Sequence, residues 1–125
     1  MSTRACIIKR NLNGTYSSIY NHSDGYPDGG LGEDLIKYYN DADTVDSLIS
    51  EGDCSYPGDP YADGDSEAIT CDSLTEILET AKNTGYEYYY LFTNIMGEWY
   101  WYISRHPAIK NGIEGWSLLK NYLEQ

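Results

Sequence analysis

The feature of this sequence that most constrains its fold is an aromatic segment, YEYYYLFTNIMGEWYWYIS, at residues 86–104. Half of the chain's 14 Tyr, 3 Trp and 1 Phe lie within residues 86–102. Side chains that alternate with a period of two are typical of β-strands, and Met96-Gly97 can form a tight turn between two of them. The segment therefore predicts a β-hairpin with strands at 86–95 and 98–104.

This alternation distributes the aromatic rings over both faces of the hairpin. On the first strand, one face carries Tyr86, Tyr88, Tyr90, Phe92 and Asn94; on the second, Trp99, Trp101 and Ile103 lie opposite Tyr100 and Tyr102. Only one face is expected to pack against helices, so the other would need a cover, either a second subunit or a flat ligand. A symmetric dimer would cover it most simply, and the alternative is ordinary cross-strand contacts between Tyr-rich strands.

The rest of the sequence predicts an α+β domain. Residues 3–10 and 15–21 have strand character and flank a turn at 11–14, which gives a second hairpin. Short helices are expected at 33–40, from Asp43 or Thr44 to Gly52, and at 113–123. Another should start at Asp72 or Ser73, and Ser73 fits a capping box with Glu76. The predicted fold is one domain, residues 1–125, with a four-stranded antiparallel sheet from two hairpins and short helices packed on one face.

Charge and hydropathy exclude several classes of partner. The formal net charge is −12, so DNA, RNA and anionic membranes are poor partners for the molecule as a whole. No apolar run approaches the roughly 20 residues of a membrane span, and no signal-peptide pattern is present. The three Cys do not have metal-ligand spacing. We therefore expect an intracellular protein with free thiols and without a metal or cofactor.

The acidic residues are concentrated in the middle of the chain. Residues 24–80 contain 16 Asp and Glu against a single Lys, and residues 52–70 are predicted to be an acidic loop. The amino-terminal and carboxyl-terminal parts are neutral to basic, and they can form a cationic surface if they pair. The alternative is that the acidic residues simply form a solvated surface.

Three further segments carry groups that are suited to binding or catalysis. Arg105 follows the aromatic hairpin and is suited to grip a phosphate or to stack on a base. His22 and Asp24 suggest a general base, but no nucleophile motif accompanies them. The stretch Gly29–Gly32 precedes a helix and can offer backbone N–H groups to an anion. Because no catalytic constellation is found, the sequence predicts a binding protein and not an enzyme.

The segment Gly14–Pro27, GTYSSIYNHSDGYP, resembles the "GxYxxIYxHxDGYP" pattern of a family of small phage and prophage proteins. The aromatic stretch from Tyr88 to Tyr102 is similar in character, and the resemblance covers most of the chain except the acidic loop. The family includes the first-described phage anti-Thoeris sponge proteins. Many relatives have Trp where this chain has Ser23. The resemblance implies sequestration, in the cytoplasm of the host bacterium, of the cyclic ADP-ribose isomer that a TIR-domain immune enzyme makes.

A sponge of this kind needs flat partners for adenine, positive charge for pyrophosphate and polar partners for ribose. The expected ligand-binding residues are Tyr90, Phe92, Trp99 and Trp101 for stacking, Arg4 and Arg105 (with Lys110) for charge, and His22, Asp24, Tyr26 and Asn94 for the remaining contacts. The pockets are expected at the interface of a homodimer or a higher homo-oligomer.

Two other functions remain open on the sequence alone. One is an acidic decoy that binds a host protein through residues 41–67, in which case charge reversal at Asp59, Asp63 and Asp65 would abolish function. The other is an enzyme that hydrolyses a nucleotide signal. A sponge releases intact ligand on heating, whereas a hydrolase forms product with time.

Overall fold

The structure is a computed structural model that describes residues 3–57, 59–60, 67–81, 86–105 and 116–124. Its elements are β1 (Ala5–Arg10), β2 (Tyr16–Asn21), α1 (Leu31–Tyr38), α2 (Ala42–Ser50), β3 (Cys54–Tyr56), β4 (Asp59–Pro60), β5 (Ile69–Cys71), α3 (Leu74–Ala81), β6 (Tyr88–Ile95), β7 (Glu98–Ser104), β8 (Ser117–Leu118) and α4 (Leu119–Leu123). None of the helices in these ranges is long and apolar enough to cross a membrane.

Both hairpins expected from the sequence are present. β1 pairs antiparallel with β2, and β6 with β7. The β6–β7 turn is made by Met96 and Gly97 alone, with φ of 53° and 90°. Positive φ at both central residues is the geometry that matches the twist of a two-residue hairpin. The β1–β2 loop is longer, residues 11–15, and within it only Gly14 has a positive φ, of 90°.

The sheet is larger than expected, and it is mixed. Its strands lie in the order β4-β3-β2-β1-β6-β7-β8, and β5 also pairs with β2. β1 and β6 are parallel neighbours, so the β1–β2 hairpin and the β6–β7 hairpin are joined through their first strands. The prediction of a four-stranded antiparallel sheet was therefore wrong in size and in strand direction. The predicted acidic loop at 52–70 contains β3 and β4 and the start of β5.

Helices cover both faces of the sheet, whereas the sequence predicted one. β2 and β3 are parallel and are joined through α1 and α2, and α3 joins β5 to β6, which run in the same direction. Parallel neighbours need a crossover connection, and a helix usually supplies it. Here α1, α2 and α4 pack on one face, called the α1 face, and α3 packs on the other, called the α3 face.

The alternating aromatic residues of β6 are covered on both sides by these helices. Tyr90 and Phe92 belong to the core under α1, α2 and α4, and Tyr89 and Leu91 belong to the core under α3. Tyr86 packs with this second core, so it does not share the face of Tyr90 as expected. The sequence predicts a dimer because one aromatic face of the hairpin would otherwise be uncovered. The helices cover the rings of β6 on both faces, so this reason no longer applies, and the association of copies stays a prediction.

Helix starts agree with the sequence in one case and differ in another. The Ser73 hydroxyl accepts the Glu76 N–H at 3.2 Å at the start of α3, as predicted. The cap of α2 is Asp41 and not Asp43 or Thr44, because the Asp41 carboxylate accepts both the N–H and the hydroxyl of Thr44 at 2.8 Å. The predicted segment 113–123 contains β8 and α4; its residues 113–115 lie outside the described residues.

Candidate ligand site

An aromatic cavity of about 470 Å³ opens on the α1 face of the aromatic hairpin. Its walls come from β6 and β7, from α1 with the residues that follow it, and from β8 and α4. The lining residues are Ile36, Asn40, Phe92, Trp99, Tyr100, Trp101, Leu118, Lys120, Asn121 and Glu124. This volume lies in the usual range for small-molecule sites. Three of the residues predicted from the sequence, Phe92, Trp99 and Trp101, therefore meet in one cavity.

The pairing of β6 with β7 brings these three rings together. Asn94 lies opposite Trp99, and Phe92 opposite Trp101, in the antiparallel register. Phe92 and Trp99 stack almost in parallel, with ring centroids 4.9 Å apart and an interplanar angle of 6°, and Phe92 meets Trp101 at 4.8 Å and 46°. Trp99 is only half-buried and lines the cavity, so part of its indole is accessible to a flat ligand there.

Hydrogen bonds fix the orientation of two aromatic residues of the hairpin. The Trp101 indole N–H donates to the carbonyl of Tyr39 at 2.8 Å, which anchors the cavity wall to the end of α1. The Tyr90 hydroxyl donates to the carbonyl of Gly25 at 2.7 Å. Burial raises the pKa of Tyr90, whose side chain is fully buried. Tyr90 was a predicted ligand contact, but it does not line the cavity and supports it from inside the core.

Polar groups of the cavity come from the end of α1 and from α4. Asn40 and Asn121 contribute amides, and Lys120 and Glu124 contribute one charge of each sign. These side chains belong to exposed residues, so they lie where the cavity meets solvent. Amides can pair with the edge of a base, and an ammonium group can pair with a phosphate.

An ion pair with one buried and one exposed member lies beside the aromatic wall. The Lys9 ammonium is 4.8 Å from the centroid of the Trp99 ring and 3.0 Å from a carboxylate oxygen of Asp46. The Lys9 side chain is 4% exposed, and that of Asp46 is 58% exposed. This cation therefore contacts Trp99 from within the protein and not from the cavity.

The remaining predicted ligand contacts lie away from the cavity. Asn94 accepts the Gly97 N–H at 3.0 Å and so stabilises the hairpin turn. Arg105 is exposed, and its guanidinium lies 5.1 Å from the centroid of the Tyr88 ring. Because Arg105 follows Trp99 by six residues along β7, the two are about 20 Å apart. Lys110 lies outside the described residues.

Arg4, His22, Asp24 and Tyr26 gather with Arg105 at the end of the sheet where β1 and β6 begin. The Arg4 carbonyl accepts the Glu87 N–H at 2.9 Å, next to the start of β6. His22 Nδ1 contacts the Tyr20 hydroxyl, and the Tyr26 hydroxyl donates to Asp24 at 3.4 Å. His22 and Asp24 thus each have a Tyr hydroxyl as a hydrogen-bond partner.

The Asp24–Pro27 segment holds the start of α1 in place. Gly25 donates its N–H to the Thr3 carbonyl at 2.9 Å, and a Cβ atom on Gly25 would lie 2.7 Å from that oxygen. The carbonyls of Asp24, Tyr26 and Pro27 accept the first N–H groups of the helix, those of residues 31–33. The N–H groups of Leu31 and Gly32 are therefore already bonded, and the predicted anion site at Gly29–Gly32 is wrong in this respect.

Sequence reasoning missed the cavity residues outside the hairpin. Ile36 and Asn40 are about 80 residues distant in sequence from Lys120 and Asn121, and no local pattern indicates that the end of α1 meets α4. One local signal for these residues was available. Leu119 and Leu123 form the apolar side of α4, so Lys120 and Asn121 lie on its polar side.

Comparison with known proteins does not identify this site. No protein-family model matches the chain, and neither a curated protein nor a solved structure is significantly similar to it. The interpretation of the cavity therefore rests on its own geometry.

Proposed function

We propose that this protein binds a cyclic ADP-ribose-type signalling nucleotide, made by a TIR-domain immune enzyme in the host bacterial cytoplasm, and holds it without cleaving it. The observation that carries the proposal is the aromatic cavity, in which Phe92, Trp99 and Trp101 lie beside the polar groups of α4. The adenine base stacks on Trp99, and Lys120 pairs with a phosphate at the mouth. This assigns the phosphate contact to Lys120 and not to Arg105, which lies just past the end of β7 and about 20 Å from Trp99.

Interactions of this kind are strong enough for a sponge. Sub-micromolar affinity corresponds to about −8 kcal/mol. Stacking is worth about 1–3 kcal/mol per base, and each charge-assisted hydrogen bond contributes about 1.5–3 kcal/mol. A preformed cavity adds to this total because little side-chain freedom is lost on binding.

Calorimetric titration followed by recovery of the ligand tests the proposal. The purified protein is titrated with the cyclic ADP-ribose isomer made by a Thoeris TIR enzyme, the complex is heated, and the released nucleotide is chromatographed. We expect sub-micromolar binding and intact ligand. Absence of binding would contradict sequestration of this ligand, and conversion of the ligand to a product would instead establish the hydrolase.

Paired variants locate the binding in the cavity. Trp99→Ala should weaken binding about tenfold or more, because one stacking contact is lost. Tyr38→Ala is the matched control, since Tyr38 is a 65% exposed aromatic residue of α1 that does not line the cavity. Lys120→Gln should also weaken binding about tenfold, whereas Lys37→Gln on α1 should not. If a cavity variant and its control weaken binding equally in either pair, the ligand binds outside the cavity.

An acidic decoy is the second candidate function. The observation that favours it is the exposed acidic side of α2, where Asp43 and Glu51 are exposed and the last turn of the helix has no basic residue. Asp63 and Asp65, expected to carry this function, lie outside the described residues. Asp43→Lys combined with Glu51→Lys should abolish protection of a phage from host defence if the protein is a decoy, and should leave it unchanged if it is a nucleotide sponge.

A further inference from the structure

Lys9 occupies a buried position of β1, where an apolar side chain is usual. It lies on the α1 face of β1, two residues after the fully buried Ile7, and opposite Phe92 in the parallel β1–β6 register. The residue is 3% exposed. Lys is almost never buried to this extent without a partner, and its partner Asp46 is 58% exposed, so water screens the attraction between the two charges. The ion pair therefore compensates only in part for the burial of the Lys9 ammonium.

The neighbours of Lys9 connect it to the aromatic cavity. On one side its ammonium is 3.0 Å from Asp46, whose side chain is 58% exposed. On the other side the ammonium lies 4.8 Å from the centroid of the Trp99 ring. Trp99 in turn stacks on Phe92 at 4.9 Å, and both rings line the cavity. A chain of contacts thus runs from an exposed carboxylate on α2, through a buried cation, to the wall of the cavity.

We infer that Lys9 is a positioning residue, which holds the Trp99 ring in the orientation that accepts a flat ligand, and that Asp46 holds Lys9 against that ring. A cation near an aromatic face is attracted more strongly when it is desolvated, and the Lys9 side chain is only 4% exposed. The Asp46 carboxylate is the partly exposed end of the pair, so water screens its charge, and the ammonium end contacts the indole. The expected effect on ligand affinity rests on the proposed function, whereas the expected effect on the orientation of Trp99 does not.

Near-ultraviolet circular dichroism tests the orientation of Trp99 without any ligand. Lys9→Leu should keep the far-ultraviolet spectrum and the urea midpoint but change the near-ultraviolet signal, because Trp99 no longer stacks in one fixed orientation against Phe92. Lys9→Arg should restore the signal, since a guanidinium can pair with Asp46 and lie over the ring. Lys37→Leu, on α1, is the matched control and should leave the spectrum unchanged.

The same variants are titrated with the cyclic ADP-ribose isomer. We expect Lys9→Leu to weaken binding about tenfold and Lys9→Arg to recover most of it.

If Lys9→Leu folds with an unchanged near-ultraviolet spectrum, the inference is overturned. If it does not fold, Asp46→Asn decides, because the Asp46 side chain is 58% exposed and an amide keeps the shape of the carboxylate. An altered near-ultraviolet signal supports the inference, and an unaltered one overturns it. A wild-type protein that binds no ligand would contradict the proposed function, while the ligand-free spectra would still test Lys9.

Discussion

At the scale of single residues, Met96 has a backbone conformation that its side chain does not favour. Its φ is 53°, in the left-handed region, and its side chain is 98% exposed. A residue with a Cβ atom loses free energy there, whereas Asn tolerates the region because its short polar side chain bonds locally. No packing of the Met96 side chain offsets this cost within the described residues.

We therefore expect Met96→Asn to stabilise the protein by about 0.5–1 kcal/mol. Met96→Val is the opposite control, since a β-branched side chain is least compatible with positive φ. Both are measured as shifts of the urea midpoint. A lower midpoint for the Asn variant would show that Met96 makes a stabilising contact.

The three Cys are expected to differ in reactivity because they differ in burial. Burial raises the pKa of Cys6 to about 12, and it also raises the pKa of Cys71. Cys6 and Cys54 are buried, and Cys71 is only half-buried. Since the thiolate is the reactive form, a thiol reagent at pH 8 should label Cys71 slowly in the native protein and the other two only after unfolding. Native labelling that persists in Cys71→Ser would contradict this assignment.

At the scale of the elements, local patterns predicted the four hairpin strands β1, β2, β6 and β7 but not the short strands β3, β4, β5 and β8. The crossovers that decide the order of the strands were not predictable. The alternation in 86–104 and the turn at Met96-Gly97 correctly gave β6 and β7, because hairpin pairing is local. The parallel pairing of β1 with β6 joins residues about 80 apart, and no feature near Ile7 or Ile8 indicates that Tyr90 and Leu91 lie beside them. For the same reason the sequence indicated Phe92, Trp99 and Trp101 but not the α4 side of the cavity.

The cap of α2 makes a contribution to stability that depends on pH. Hydrogen bonds from the Thr44 N–H and hydroxyl lower the pKa of Asp41 below its ordinary 3.8. A carboxyl whose folded pKa is depressed stabilises the fold above its unfolded pKa, and this contribution is lost as the pH falls through the folded pKa.

Asp41→Ala should accordingly lower the urea midpoint at pH 7, and its difference from the wild type should shrink as the pH falls below about 4. Asp43→Ala, in the first turn of the same helix, is the control, because the Asp43 side chain does not cap α2. A difference that is constant with pH would show that the Asp41 carboxylate is not the group responsible.

At the scale of the whole molecule, the fold separates the predicted site residues into two groups. Trp99 and Phe92 lie in the aromatic cavity, whereas Arg4, His22 and Arg105 lie towards the opposite end of the sheet. The three Trp residues report on this separation. Trp99 and Trp101 line the cavity, and Trp116 packs with the core on the α3 face. Binding in the cavity must therefore perturb two indole groups and leave the third unchanged.

The most direct test is a ¹⁵N NMR titration of the indole N–H signals of Trp99, Trp101 and Trp116 with the cyclic ADP-ribose isomer, with the signals assigned by Trp→Phe variants. The account predicts that the Trp99 and Trp101 signals shift and saturate together, while the Trp116 signal stays in place. A shift of Trp116 alone, or no shift of any of the three, would contradict the claim that the aromatic cavity binds the nucleotide.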